Sequence, residues 1–276
     1  MDKIYTLPTT SDFIKKYNLN AKKSLGQNFI LDQNYTDKIV KSAGDITNKL
    51  ILEIGPGPAS LTRSILKKNI DQLICIEKDQ RCLNILQEIK QHYPEKLDYL
   101  NEDALTINEV AIFNNQKFTI IANLPYNIAT LLIFKWLKIA DKISSMTLMV
   151  QKEVAQRITA KFGQKHYSRM SIMINYLCDS KINFIVNNSI FTPKPKVTSA
   201  IINLTPKISE INLKEFNKLE KIVAMAFNTK RKTIKNSLKN INNICNILDD
   251  LKIAHDLRAQ DLTIEQYLKL ANIINF

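Results

Sequence analysis

Leu50-Ile51-Leu52-Glu53-Ile54-Gly55-Pro56-Gly57-Pro58-Ala59 is an apolar run that ends in a glycine-rich turn. Ser60-Leu61-Thr62 follow, and Leu61, Ile65 and Leu66 then fall at helical spacing. Strand, tight turn and helix in this order is the arrangement that binds nucleotide-like cofactors, because glycine lets a ligand approach the backbone closely. The next apolar run, Gln72-Leu73-Ile74-Cys75-Ile76, ends in Glu77. That acid lies about 20 residues past the turn, where such folds place a carboxylate on a ribose diol. A third run, Leu97-Asp98-Tyr99-Leu100, leads to Glu102-Asp103-Ala104, and Asp103 is placed to meet an adenine amino group. A fourth, Phe118-Thr119-Ile120-Ile121-Ala122, ends in Asn123-Leu124-Pro125-Tyr126. Open α/β sheets bind ligands outside the carboxyl ends of their strands, and all four features fall on that edge.

The fourth strand end points to chemistry on a planar amine. An Asn side-chain oxygen accepts a hydrogen bond from an exocyclic amino group. Pro125 biases Leu124 to an extended backbone that turns its carbonyl the same way. The Tyr126 ring offers a face on which a base stacks. A stiff strand-to-loop turn explains these four residues about as well when they are taken alone. The cofactor turn likewise has a plainer reading, a dinucleotide oxidoreductase. It is not a full G-x-G-x-x-G, however, since Ala59 and Ser60 stand in it. A cofactor without phosphates therefore fits better than a pyrophosphate. S-adenosylmethionine (SAM) is such a cofactor, and its enzymes carry an Asn/Asp-Pro-aromatic step at the fourth strand.

Length and charge bound the rest. With 276 residues the chain holds one large domain and a small one. No stretch approaches the roughly 18 apolar residues that span a bilayer, and Met1 to Thr10 lack the pattern of a secretory signal. Cys75, Cys82, Cys178 and Cys245 are scattered, as are His92, His166 and His255. The expectation is a cytoplasmic protein with reduced cysteines, no membrane contact and no metal site. Lys plus Arg is 39 against 26 Asp plus Glu, a net charge of +13, which favours a polyanionic partner. The basic residues cluster at Lys15, Lys16, Lys22 and Lys23, and again at Lys230, Arg231, Lys232, Lys235 and Lys239. The second cluster is the candidate grip on a run of phosphates, although a solvated helix face gives the same pattern.

The strand–helix alternation runs from about 50 to 151, with a fifth strand at Met146–Gln151 and late strands at Lys181–Val186 and Thr198–Leu204. Paired strands after the fifth form an antiparallel edge. From about Pro206 the pattern is helical only: Phe216, Leu219, Ile222, Val223 and Phe227 make one amphipathic stripe, and Ile264, Tyr267, Leu268 and Ala271 another. The expected fold is α/β, a Rossmann-like class I SAM-dependent methyltransferase sheet over 1–205, with a small all-α domain over 206–276.

These motifs together resemble the bacterial small-subunit ribosomal RNA adenine-N6 dimethyltransferases, over nearly the whole chain. The matching pieces are Lys23-Ser24-Leu25-Gly26-Gln27-Asn28-Phe29, Glu53-Ile54-Gly55-Pro56-Gly57, Ile76-Glu77-Lys78-Asp79, Glu102-Asp103-Ala104 and Asn123-Leu124-Pro125-Tyr126-Asn127-Ile128. Gly163 to Ser168, Phe191 to Val197 and Ala226 to Leu238 complete the set. Ser168 and Met170 depart from it, standing where the family often has Gly and Leu. The resemblance implies dimethylation of two adjacent adenines in a hairpin near the 3′ end of small-subunit rRNA, in the assembling 30S subunit, by a monomer. It implies SAM contacts at Asn28, Ile30, Gly55, Glu77, Asp103 and Asn123. Asn123 and the Leu124 carbonyl, with Pro125 stiffening the turn, would hold the target amine. Tyr126 would stack on one face of the base and Phe191 on the other. Two rivals share parts of the pattern: the class that dimethylates one adenine in large-subunit rRNA, and a binding factor that has kept the fold.

Overall fold

The strands of the computed structural model, which describes residues 7–22, 25–207, 209–229 and 231–274, are β1 (Phe29–Ile30), β2 (Leu50–Ile54), β3 (Gln72–Ile76), β4 (Leu97–Leu100), β5 (Phe118–Asn123), β6 (Ile143–Gln151), β7 (Cys178–Val186), β8 (Phe191–Thr192) and β9 (Ser199–Pro206). Seven of them form one sheet in the order β4-β3-β2-β5-β6-β9-β7. β2 pairs in parallel with β3 and β5, β3 with β4, and β5 with β6. β9 returns antiparallel to β6, with Met149 opposite Ile201. Chain order therefore reverses between β2 and β5, and such a switch point opens a crevice at the carboxyl ends of the strands.

The central strands are apolar on both faces because helices cover both. Ile51 and Leu52 of β2, Leu73 and Cys75 of β3 and Ile120–Ala122 of β5 are fully buried. The helix Gln80–His92 buries Cys82, Ile85, Leu86 and Ile89, a stripe at helical spacing, and Asp79 caps it by accepting from the Arg81 N–H. The helices Gln33–Ser42 and Ser60–Leu66 are tied by Gln33 Nε2 donating to Ser64 Oγ at 2.6 Å and by a Lys67–Asp37 ion pair at 2.8 Å.

The sequence pattern marks no strand at Phe29–Ile30. The structure instead pairs β1 with β8 as an antiparallel ribbon, Phe29 opposite Thr192 and Ile30 opposite Phe191. Two-residue strands have no periodicity, and their partners lie more than 160 residues apart in the chain, so no local pattern marks them.

By the density of its contacts the chain forms two compact units, one comprising residues up to Ala155 with Lys181–Pro206, the other Gln156–Ser180 with the chain from Lys207 onward. A linear division at 205/206 differs from this at Gln156–Ser180 and by the single residue Pro206. The helix Arg169–Leu177 there joins the C-terminal helices through Tyr176 Oη donating to Glu215 and an Arg169–Glu220 ion pair at 3.1 Å. Ser168 begins that helix with φ −157°, extended backbone open to any residue, so Ser stands there without strain. Further along, the helix Leu213–Phe227 buries Phe216, Leu219, Ile222, Val223 and Ala226, and Ile264–Ile273 buries Tyr267, Leu270 and Ala271. Tyr267 Oη donates to the Ala259 carbonyl at 2.6 Å, which satisfies the one polar atom of that buried ring.

Candidate active site

The turn after β2 has no backbone donor to spare. Gly55 N–H donates to the Ile76 carbonyl at 2.9 Å, Gly57 N–H to Glu77 Oε2 at 3.0 Å, and Ala59 N–H to the Pro56 carbonyl at 2.9 Å. Pro56 and Pro58 have no N–H at all. A pyrophosphate needs several such donors, so the turn does not fit one. Gly57 has φ +54°, and a Cβ there would lie 3.2 Å from the Phe29 ring, so the position is closed to side chains on both counts.

Glu77, 6% exposed, sits at the end of β3. Its Oε2 takes the Gly57 N–H and its Oε1 the Asp79 N–H at 2.7 Å. Burial pushes its carboxyl above the usual range, and the Asp79 and Gly57 N–H groups oppose that shift. Each oxygen keeps accepting capacity for a ribose hydroxyl. Next to it, Asp79 takes two hydrogen bonds from the Arg81 guanidinium besides that of its N–H, and one from Gln27 Nε2 at 2.9 Å, and the Arg81 bonds hold its carboxyl down at about 2. Gln27 thereby fastens the N-terminal loop to the β3 corner.

Asp103 closes a turn on itself, Oδ1 accepting from the Leu105 N–H at 2.9 Å. Its Oδ2 takes Lys78 Nζ at 2.7 Å. The Lys78 hydrogen bond, then the Leu105 N–H, hold its carboxyl below the usual range. Asp103 is therefore an acceptor only, as an adenine amino group requires.

Asn123 ends β5 opposite Met149. Its Nδ2 faces the Asn28 carbonyl at 3.4 Å, which leaves Oδ1 on the opposite side. Leu124 N–H donates to the Met149 carbonyl at 3.3 Å. Among the described residues no donor reaches Asn123 Oδ1 or the Leu124 carbonyl. Tyr126 is pinned by a 2.6 Å hydrogen bond between its hydroxyl and that of Ser199, a fully buried residue of β9. Burial raises the phenol pKa above its ordinary value, so Tyr126 is neutral.

One pocket gathers Asn28, Ile30, Gly55, Glu77, Asp103, Asn123, Leu124, Pro125 and Tyr126 around its wall. Gly26 closes against Asn127: a Cβ at Gly26 would fall 2.8 Å from Asn127 Oδ1. Asn28 Nδ2 donates to the Gly26 carbonyl at 3.3 Å and shapes the same loop. Phe191 stands apart. It is 3% exposed, paired with Ile30 in the ribbon, and is not in the pocket wall. Sequence reasoning missed Ser199, which carries no motif, and Glu53, whose signal was a lone charge inside an apolar strand. Glu53 lines the pocket at 1% exposure, accepting from the Thr62 hydroxyl at 2.7 Å, and burial pushes its carboxyl up to about 8.

Arg231, Lys232, Lys235 and Lys239 are exposed, while Ile234 and Leu238 between them are buried, so the segment turns its charges outward. Lys230 lies outside the described residues. At the N-terminal cluster Lys15, Lys16 and Lys22 are exposed, Lys16 pairs with Glu88, and Lys23 lies outside the described residues. No group of side chains suited to a metal ion occurs among the described residues, and no helix among them is long and apolar enough to cross a membrane.

A sequence model of the family described as "Ribosomal RNA adenine dimethylase" matches residues 18–275. The chain belongs to the ribosomal RNA adenine dimethylase family. It is 40% identical over 271 residues to the "Ribosomal RNA small subunit methyltransferase A" of Allorhizobium ampelinum, covering 97% of this chain and 98% of that one. With the protein of the same description from Bartonella bacilliformis the identity is 42% over 276 residues, 98% and 99% of the two chains. Among solved structures, a dimethyladenosine transferase from Plasmodium falciparum superposes with a TM-score of 0.74 at 27% identity, over 88% of this chain and 95% of that one. The 23S rRNA methyltransferase ErmE superposes with a TM-score of 0.67 at 26% identity, over 90% and 99%. The adenine dimethylase fold is thus a class I methyltransferase sheet, and the chain is an rRNA methyltransferase. Its pocket is compatible with the adenosyl part of SAM: Asp103 is an ionised acceptor, Glu77 a buried carboxylate, and the turn between Gly55 and Ala59 spares no backbone N–H for a pyrophosphate.

Proposed function

We propose that this chain transfers methyl groups from SAM to N6 of two adjacent adenines, twice each, in a hairpin near the 3′ end of small-subunit rRNA. The observation that carries the chemistry is the pair of unengaged acceptors, Asn123 Oδ1 and the Leu124 carbonyl, at the rim of the cofactor pocket. SAM supplies, when bound, an electrophilic methyl on a sulfonium. An adenine amine is a poor nucleophile because its lone pair is delocalised into the ring. Hydrogen bonds from N6–H to Asn123 Oδ1 and the Leu124 carbonyl favour a pyramidal nitrogen with a localised lone pair. Asn28, by taking the Asn123 amide nitrogen on its carbonyl, keeps the oxygen turned toward the amine. Tyr126, its hydroxyl anchored on Ser199, presents its ring to the flipped base. Positioning then supplies most of the remaining rate, and no strong general base is needed because the proton becomes acidic as the methyl arrives. In the second round only one N–H remains for the two acceptors.

The choice of RNA rests on the curated relatives at 40% and 42% identity, both described as small-subunit enzymes. The exposed Arg231, Lys232 and Lys235, with Lys230, are proposed to grip rRNA phosphates in the assembling 30S subunit. We assign the enzyme to the cytoplasm, acting as a monomer. The test is transfer from labelled SAM to ribosomal subunits lacking the modification, with mass mapping of the product. Dimethyladenosine at two neighbouring positions in small-subunit RNA is the expected result. Label confined to large-subunit RNA, or to a single adenine, overturns it.

A further inference from the structure

Lys135 lies in the helix Ala129–Leu137 and has no place in the chemistry above. Its Nζ donates to the Ala104 carbonyl at 2.8 Å and to the Ile107 carbonyl at 2.6 Å, and pairs with Glu109 Oε2 at 3.0 Å. Glu109 is 2% exposed, and its Oε1 takes the indole N–H of the fully buried Trp136 at 2.7 Å. An ammonium has three protons, and here three acceptors take them, so none is left for a ligand. The two carbonyls belong to the loop that carries Asp103. From its other side the same loop is tied by Asp103 itself: Oδ1 accepts from the Leu105 N–H, and the Asp103 carbonyl accepts from Thr106 N–H at 2.9 Å and Ile107 N–H at 3.3 Å. Asp103 serves the loop's N–H groups, and Lys135 serves two of its carbonyls. A chain from the buried Trp136 and Glu109 through the partly exposed Lys135 thus fixes where the Asp103 carboxylate stands.

We propose that Lys135 is the positioning residue for adenine selectivity in the cofactor pocket: by holding the Ala104 and Ile107 carbonyls from behind, it keeps Asp103 where it accepts from a 6-amino group and repels a 6-oxo group. The proposal rests on the reading of Asp103 as the partner of the cofactor's adenine amine. A plainer role, neutralising Glu109 alone, affects every ligand equally. A hydrogen bond is lost steeply with misplacement, so a shifted loop removes the selectivity before it removes binding.

The experiment is calorimetric binding of S-adenosylhomocysteine and its 6-oxo analogue S-inosylhomocysteine to the full chain. The wild type is expected to favour the adenosyl ligand by about ten- to hundredfold, the range of one hydrogen bond to a charged group. Asp103→Ala removes that preference. Lys135→Met is expected to narrow it to within about threefold, and Lys135→Arg, which keeps donors for both carbonyls, to restore it. If Lys135→Met does not fold, Lys135→Gln, with donors on its amide, takes its place and an intermediate ratio is expected. A wild-type ratio in Lys135→Met (or Lys135→Gln), or equal weakening of both ligands with the ratio unchanged, overturns the proposal while leaving Asp103 as the adenine partner. A ratio untouched by Asp103→Ala overturns the reading of Asp103 and the proposal with it.

Discussion

Glu53→Gln isolates the energetic consequence of a carboxyl sealed inside the sheet. Glu53 is 1% exposed in β2, its Oε2 accepting from Thr62 at 2.7 Å and from the Cys75 thiol at 3.5 Å. Burial raises its pKa from the ordinary 4.5 to about 8. An acid whose folded pKa lies above its unfolded value gives full stability below the unfolded pKa and loses it as pH rises toward the folded one. The window here runs from 4.5 to about 8. Between pH 6 and pH 8 the unfolded chain has already released this proton and the folded chain mostly has not. One proton at about 1.4 kcal/mol per pH unit, less the part the folded group releases near pH 8, gives a loss of about 2 kcal/mol. Glutamine keeps the shape and a carbonyl for the Thr62 hydroxyl but does not ionise. Unfolding free energies from urea titrations at pH 6 and pH 8, for wild type and Glu53→Gln, give the double difference in which all other titrating groups cancel. The expected result is a gain of about 2 kcal/mol for the variant relative to wild type on going to pH 8. Parallel pH profiles refute the reasoning, since they require Glu53 to be ionised in the fold already at pH 6.

Three further outcomes follow from the site. Asn123→Ala is expected to lower methyl transfer by about a hundredfold or more while SAM affinity, by calorimetry, stays within about tenfold, because the residue is one of several cofactor contacts but the only side chain assigned to the target amine. Gly57→Ala forces a Cβ onto φ +54° and to 3.2 Å from the Phe29 ring, so denaturant titration should show a loss of about 1–2 kcal/mol or more, with weaker cofactor binding beside it. Replacing Arg231 and Lys232 by Gln removes two exposed charges, and the slope of log affinity for rRNA against log salt should fall by about 1.5 with SAM binding unchanged; an unchanged slope means the segment does not meet phosphate.

The parallel part of the sheet was legible because β2, β3 and β5 are runs of buried apolar residues, and these strands and the less buried β4 each lead to a residue type that marks a strand end: Gly55, Glu77, Asn123 and, after β4, Asp103. The pocket inherits that legibility, since the fold brings those ends to one edge. What could not be read was pairing at a distance. The β1–β8 ribbon pairs residues more than 160 positions apart, and the Tyr126–Ser199 bond spans 73. Phe191 illustrates the same gap: an aromatic in a recognisable motif suggests a stacking face, but its exposure depends on the strand it pairs with, and Ile30 lies against it. Gln156–Ser180 joins the C-terminal helices through Glu215 and Glu220, partners no local pattern in that stretch names.

The polarity of the pocket explains which ligand it admits better than any single contact does. Glu77 and Asp103 are carboxylates, and Asn123 turns its oxygen outward while its nitrogen faces Asn28. The Leu124 carbonyl adds a fourth acceptor. The donors that a glycine turn ordinarily offers are consumed by Ile76, Glu77 and Pro56, or missing at Pro56 and Pro58. A ligand rich in phosphate brings acceptors and negative charge to these acceptors, and the one ammonium among the described residues of the wall, Lys78, is already engaged by Asp103. A ligand whose edges are an amino group and two hydroxyls brings donors to each of them, and so does the amine of a target adenine. On the proposed assignment, cofactor and substrate are thus recognised by one property of the strand ends. The same property makes Glu77 double in purpose: it accepts from the turn at Gly57 and keeps capacity for a ribose. Its removal therefore releases the turn as well as the ligand, and loss of binding in a Glu77→Ala protein reports both at once, whereas Glu77→Gln still offers one carbonyl and separates the two.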